Sequence, residues 1–206
     1  MPEQRKRPMT FSDRMQWQLQ HDALVKSKVM KQAKSNKTFL VIHGGKSLNK
    51  QLPQHLHRRS NDYDMWAKKP QERMDKMEDS LDKAVGADMF YEESIPMAGS
   101  NKRVYRVMSR ITNDAVVDYI NAPNKKGYYK IMGGVKWETL DHAKKIYRKI
   151  LNDPTTGKER KRKSQVDLNR ILQFEGKLKQ ANKHQGLFQG KFHFKSTNLK
   201  SYNRRY

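Results

Sequence analysis

The chain of 206 residues contains no cysteine. Disulfides, thiolate metal sites and cysteine nucleophiles are thereby excluded, and a reducing compartment is compatible with the composition. No run of 18 apolar residues occurs, so no membrane-spanning helix is expected. The opening Met1-Pro2-Glu3-Gln4-Arg5-Lys6-Arg7 lacks the apolar stretch of a signal peptide, so a cytoplasmic location is expected. Apolar residues make up only 35% against 32% charged, too few for every segment to join a packed core. Acid is scarce as well: 21 Asp and Glu stand against 44 Lys and Arg, a net charge of +23. Charge of that size speaks of partners rather than fold. Nucleic acid is the expected polyanion, RNA ahead of DNA.

The charge is denser at the ends. Residues 1–37 carry a net +6 and residues 173–206 a net +7, against +10 for the long middle. This is the layout of a folded module, 38–172, between a basic N-terminal arm (1–37) and a basic, aromatic C-terminal tail (173–206). Met15, Leu19 and Leu24 or Val25 give the first arm a helical face. Phe39-Leu40-Val41-Ile42 reads as a buried strand that ends in a tight turn at Gly44-Gly45. Residues 46–61 read as a polar segment and Tyr63-Asp64-Met65-Trp66 as a second strand. Pro70 opens a helix with the stripe Met74, Met77, Leu81 and Val85, which Gly86 closes.

Strands are expected at 88–92, 104–109 and 115–120, with a turn at Asn113-Asp114, and an edge strand at 128–132. Helices over 139–151 and 159–180 follow. The fold class expected is α+β, a mixed α/β sheet packed by helices.

Within this frame, Asp62 and Asp64 form an Asp-x-Asp pair whose side chains share one strand face, because strand side chains alternate. Asp118 stands in an apolar strand, Val116-Val117-Asp118-Tyr119-Ile120, where an unpaired carboxylate would be costly. Three carboxylates suit magnesium, and two such ions held together serve phosphoryl chemistry. Gly44 and Gly45 let backbone amides approach a triphosphate. Ser47 offers a hydroxyl, and Lys46 or Arg58 a positive charge. A P-loop is excluded, because the position that needs its first glycine is Leu40.

Gly44-Gly45-Lys46-Ser47-Leu48, followed by Arg58-Arg59-Ser60-Asn61-Asp62-Tyr63-Asp64, resembles the signature of the polymerase-β-type nucleotidyltransferase superfamily. It is most similar to the abortive-infection (type IV toxin) nucleotidyltransferases. The resemblance covers roughly residues 38–172 and places the family's third acid on Asp118. It implies two magnesium ions on Asp62, Asp64 and Asp118, and an NTP held by Gly44, Gly45, Lys46, Ser47, Arg58 and Ser60. The 16 residues between Gly45 and Asp62 exceed the interval in compact members.

The run Lys158-Glu159-Arg160-Lys161-Arg162-Lys163 is five-sixths cationic and reads as a phosphate-binding patch through Lys158, Arg160, Lys161, Arg162 and Lys163. Tail aromatics Phe188, Phe192, Phe194, Tyr202 and Tyr206 alternate with basic and polar residues, a pattern suited to stacking on bases or to packing on a partner. Two functions follow. One is a magnesium-dependent nucleotidyltransferase that moves NMP from an NTP to an RNA or protein hydroxyl. The other is a non-catalytic scaffold of a large assembly, a virion or ribonucleoprotein, whose basic arms bind nucleic acid and other proteins.

Overall fold

A computed structural model describes residues 10–35, 38–97, 101–124 and 126–189, with some side chains near the ends of its first and last helices left aside. The side chains of Met15, Leu19 and Phe188, and the whole of residues 190–206 with their aromatics, lie outside the described part.

Period-two burial builds a seven-stranded mixed sheet. Its strands are β1 (Leu40–His43), β2 (Tyr63–Ala67), β3 (Phe90–Pro96), β4 (Arg103–Ser109), β5 (Ala115–Asn121), β6 (Tyr129–Met132) and β7 (Val135–Glu138), in spatial order β3-β4-β5-β2-β1-β7-β6. The pairs β1–β7 and β2–β5 are parallel, and the remaining pairs are antiparallel. Alternation sends Leu40 and Ile42, Tyr63 and Met65, and Val117 and Tyr119 into the main core. Helices α1 (Phe11–Lys34) and α3 (Pro70–Val85) cover that face, α1 with Val25, Val29 and Ala33 and α3 with Met74, Met77 and Leu81. The packed unit thus begins well before residue 38, where a separate arm was expected to end. Gly86, at φ 75°, closes α3 in the left-handed conformation that glycine adopts without strain.

The same alternation turns Val41, Trp66, Asp64 and Asp118 to the other face. Beside it stand α2 (Gly44–Gln51), α4 (Leu140–Asn152) and α5 (Lys158–Gln189). They close a second core of Leu48, Leu52, Leu56, Ala143, Tyr147, Leu168 and Ile171. The expected turn at Gly44-Gly45 is the first turn of α2, and Val135–Glu138 is a strand that the residues 133–138 did not advertise. The last helix crosses residue 172, and Phe174 packs against the second core, so folded structure extends past the expected boundary. Among the described residues no helix is long and apolar enough to cross a membrane.

Candidate active site

Strand register assembles the acids. Asp64 of β2 lies opposite Asp118 of β5 in the parallel pair, and opposite His43 of β1 on its other side. Asp62 sits two residues before Asp64, at the entry to β2. One oxygen from each of Asp62, Asp64 and Asp118 lies within 4.8 Å of the other two.

The electrostatics of this cluster are unbalanced. Burial, then the neighbouring Asp62 and Asp118, push the Asp64 carboxyl up to about 8, with Arg160 opposing. Burial also raises Asp118, with Arg106 opposing. Arg106 of β4, in register with Asp118, donates to Oδ2 through Nε at 3.2 Å and Nη2 at 3.1 Å. The other oxygen, Oδ1, lies 3.1 Å from Nε, yet it is buried and accepts no aligned hydrogen bond among the described residues. A buried carboxylate oxygen without a donor is costly. Three crowded carboxylates with such an oxygen form a donor set for a hard divalent cation.

The glycines fit tightly against these acids. Gly44 has φ +65°, and a Cβ there would lie 2.3 Å from Asp64 Oδ2. A Cβ on Gly45 would meet Ser60 Oγ at 2.7 Å and Arg58 Nη2 at 3.3 Å. The backbone therefore approaches the acids more closely than any other residue would permit. Gly44 N–H donates to Glu138 Oε2 at 3.2 Å, and His142 Nδ1 lies 2.8 Å from Glu138 Oε1. Glu138 is buried, and its carboxylate stands at the N-terminal end of α2, where negative charge is favoured. His43 stacks on Trp66 with ring centroids 4.3 Å apart. Burial, helped by Arg160 and His142, lowers its pKa to about 3, so it is neutral at ordinary pH.

The other expected nucleotide-binding residues are distributed unevenly. Lys46 is half-buried, with Nζ 4.8 Å from the Tyr63 ring centroid, and burial lowers its pKa, with Asp22 and Asp62 opposing. Ser60 Oγ lies against Gly45 and 3.5 Å from Asp62 Oδ1. The Ser47 hydroxyl is fully buried and donates to Glu138 O at 3.1 Å, so it ties α2 to β7 and is not turned toward a ligand. Arg58 is fixed by a bidentate pair with buried Asp167 of α5, Nε–Oδ1 2.7 Å and Nη2–Oδ2 2.8 Å. Arg170 donates to Asp167 Oδ1 and to Asn49 Oδ1, and Asn49 Nδ2 donates to Arg58 O at 2.7 Å. This network fastens the 46–61 segment to α5.

The basic run occupies the first turns of α5. Arg162 and Lys163 pair with Glu159, at 2.9 and 3.7 Å. Arg160 is close enough to Asp64 and His43 to act on both, and Lys158 is exposed. Sequence reasoning missed Glu138, Arg106 and Asp167. An Arg in the alternating Val104–Ser109 strand and the i, i+3 pair Asp167/Arg170 were visible signals, whereas their long-range partners were not.

Glu78, Asp82 and Asp88 form a second carboxylate group with oxygens within 4.8 Å. There Asp82 Oδ1 already accepts from Met89 N–H at 2.8 Å and Phe90 N–H at 3.0 Å, which anchors the end of α3 to β3.

No protein-family model matches the chain, and no curated protein does. Among solved structures, the Megavirus polyadenylate synthase superimposes with a TM-score of 0.57 at 14% identity, over 76% of this chain and 32% of that one. The chain thus spans about a third of the viral enzyme's length. JHP933 from Helicobacter pylori aligns with a TM-score of 0.36 at 11% identity, over 84% of this chain and 98% of that one. The likeness is one of fold: a mixed sheet packed by helices, shared with part of the viral polyadenylate synthase.

Proposed function

We propose that the chain is a divalent-metal-dependent nucleotidyltransferase that moves NMP from an NTP to a hydroxyl of RNA. The observation that carries this reading is the meeting of Asp62, Asp64 and Asp118 directly beneath the Gly44-Gly45 start of α2. The likeness to a polyadenylate synthase supports it at the level of fold. Magnesium bound by the three acids would neutralise the triphosphate and polarise the attacking hydroxyl.

The protein's own groups would do the rest. The first turn of α2 carries backbone N–H groups without helical partners, suited to phosphate oxygens. Glu138 holds Gly44 in place. Lys46 and Arg160 would offset phosphate charge, and Ser60 would fix the backbone of Asp62. An acceptor hydroxyl oxygen would bond to the α-phosphorus as the bond to the bridging oxygen breaks and pyrophosphate leaves. The hydroxyl proton would pass to solvent water, with Asp118 engaged as a metal ligand. The motif likeness to abortive-infection enzymes supports the same chemistry, and a protein hydroxyl is the alternative acceptor.

One observation favours the scaffold reading instead. Arg106 already engages Asp118, a contact that would hold the third acid in place without metal. Incubation of the protein with magnesium, each α-labelled NTP in turn and total RNA decides between the two. Label in RNA or protein that disappears in the Asp62→Ala/Asp64→Ala variant supports transfer. Retention of labelling in that variant would sink the site assignment, and no labelling with RNA still bound selects the scaffold.

A further inference from the structure

One concavity of the molecule lies away from the carboxylates. An open cleft of about 1230 Å³ lies at the other end of the same strands, and its lining includes Phe39, Lys68, Lys102, Lys126, Tyr129 and Lys130. No Asp or Glu is among the described residues that line it. Strand alternation places Phe39 with Val41 and His43, Lys68 with Asp64 and Trp66, and Ala122 with Asp118, so cleft and acids share one sheet face. The four residues from Asp118 to Ala122 span about 13 Å of extended strand.

The chemistry of the cleft is specific. Phe39 is flanked by two ammonium groups, Lys68 Nζ and Lys136 Nζ, each 5.6 Å from its ring centroid. Tyr129 packs edge-on against Phe39 at 5.7 Å, and both rings are partly buried against the Val41, Trp66 and Tyr128 cluster while lining the cleft. Beside them the apolar Ile131 is 64% exposed. Lys68, Lys126 and Lys130 are exposed. Rings held by neighbours, bordered by cations and reachable from the cleft suit a ligand that alternates flat apolar groups with phosphates. A mononucleotide site would be smaller and would converge on one phosphate cluster. Duplex nucleic acid keeps its bases stacked and cannot present them to Phe39 or Tyr129.

We infer that this cleft binds single-stranded RNA, with bases on Phe39 and Tyr129 and phosphates on Lys68, Lys126, Lys130 and Lys136. The site is independent of the metal chemistry proposed above.

The test uses the full chain, a labelled single-stranded RNA of mixed sequence and a duplex of the same length, with fluorescence anisotropy read across a salt series. Lys68→Ala/Lys126→Ala/Lys130→Ala should weaken single-strand binding at least tenfold and lower the magnitude of the log–log salt slope by about 2, at about 0.7 per lost phosphate contact. Phe39→Leu/Tyr129→Leu should weaken binding roughly tenfold while leaving the salt slope intact, because stacking is uncharged. Photocrosslinking of wild-type protein to thiouridine-bearing RNA should map to peptides holding Phe39 and Tyr129. Unchanged affinity in both variants, crosslinks confined to other segments, or a duplex bound as tightly as the single strand overturns the inference. So does a lysine variant that keeps its RNA affinity but loses binding to vesicles of anionic lipid, which would make the cleft a membrane-surface site.

Discussion

Replacing Gly44 by Ala probes the backbone and the acids together. Two costs add. A non-glycine residue at φ +65° bears about 1–2 kcal/mol of left-handed strain. Its Cβ would also stand 2.3 Å from Asp64 Oδ2. Asp64 lies at the bottom of the site beside two other acids, and making room should cost about another 1–2 kcal/mol, as overpacking does. The sum is about 3 kcal/mol, or a fall in Tm of roughly 6–12 °C for a chain of this size. Gly45→Ala is the internal control. Gly45 has no positive φ, its overlap is with the ends of Ser60 and Arg58, and alanine in a helix gains about 1 kcal/mol over glycine. Its Tm should move far less, and Ser60→Gly should recover what is lost. The assay is thermal denaturation with and without millimolar manganese or magnesium. Gly44→Ala should also lose the metal-dependent rise in Tm, because Asp64 is displaced, whereas Gly45→Ala should keep it. A Gly44→Ala protein that melts within about 2 °C of wild type refutes the packing argument, since that corresponds to less than about 1 kcal/mol.

Further outcomes are expected. Asp64 holds its proton in the folded chain up to about 8 but releases it near its ordinary value when unfolded. Its contribution to stability is therefore greatest below about pH 4 and falls as pH rises toward 8. Metal-free Tm should decline more over that window in wild type than in Asp64→Asn, and added manganese should raise Tm more at pH 8 than at pH 6; equal pH profiles for the two proteins would count against the crowded-carboxylate account. Asp167→Ala leaves Arg58 and Arg170 without their shared carboxylate and should cost about 3 kcal/mol, a Tm fall of roughly 6–12 °C, whereas a change under about 2 °C would mean the network contributes little. Arg106→Gln removes the cation that competes for Asp118, so metal-dependent stabilisation should grow; an unchanged metal response would favour Arg106 as the permanent partner of Asp118.

The sheet and its acids were legible because their signals are local. Short apolar runs in Leu40–His43 and Ala115–Asn121 and alternation in Tyr63–Ala67 announce strands, and Asp-x-Asp announces two acids on one face. The α3 stripe with Pro70 and Gly86 was equally plain. Helix α2 was hidden because two glycines and polar residues mask its turn, and what holds it is tertiary: Leu48 in the second core and Glu138 at its N-terminus. The role of Ser47 was misread for the same reason, since the carbonyl it serves lies 91 positions away. The basic N-terminal segment reads as an arm by charge, yet Val25, Val29 and Ala33 make its second half part of the core. The cleft at Phe39 had no linear signal, because its lysines come from three separate segments.

The parallel pairing of β2 with β5 has a consequence for how such a chain tolerates change in length. Asp64 and Asp118 are 54 positions apart in sequence and adjacent in register. Everything between them is a detour through α3, β3 and β4 that leaves β2 and returns to its neighbour β5. Insertions or deletions in that detour leave the acids facing each other. A single-residue slip inside β5 would send Asp118 into the apolar core and Val117 to the surface of the site. The chemistry is therefore indifferent to length but strict about parity. A library of one- and two-residue insertions along 60–125 should sort by that rule, with tolerance concentrated in the loops and loss at odd shifts within the two strands.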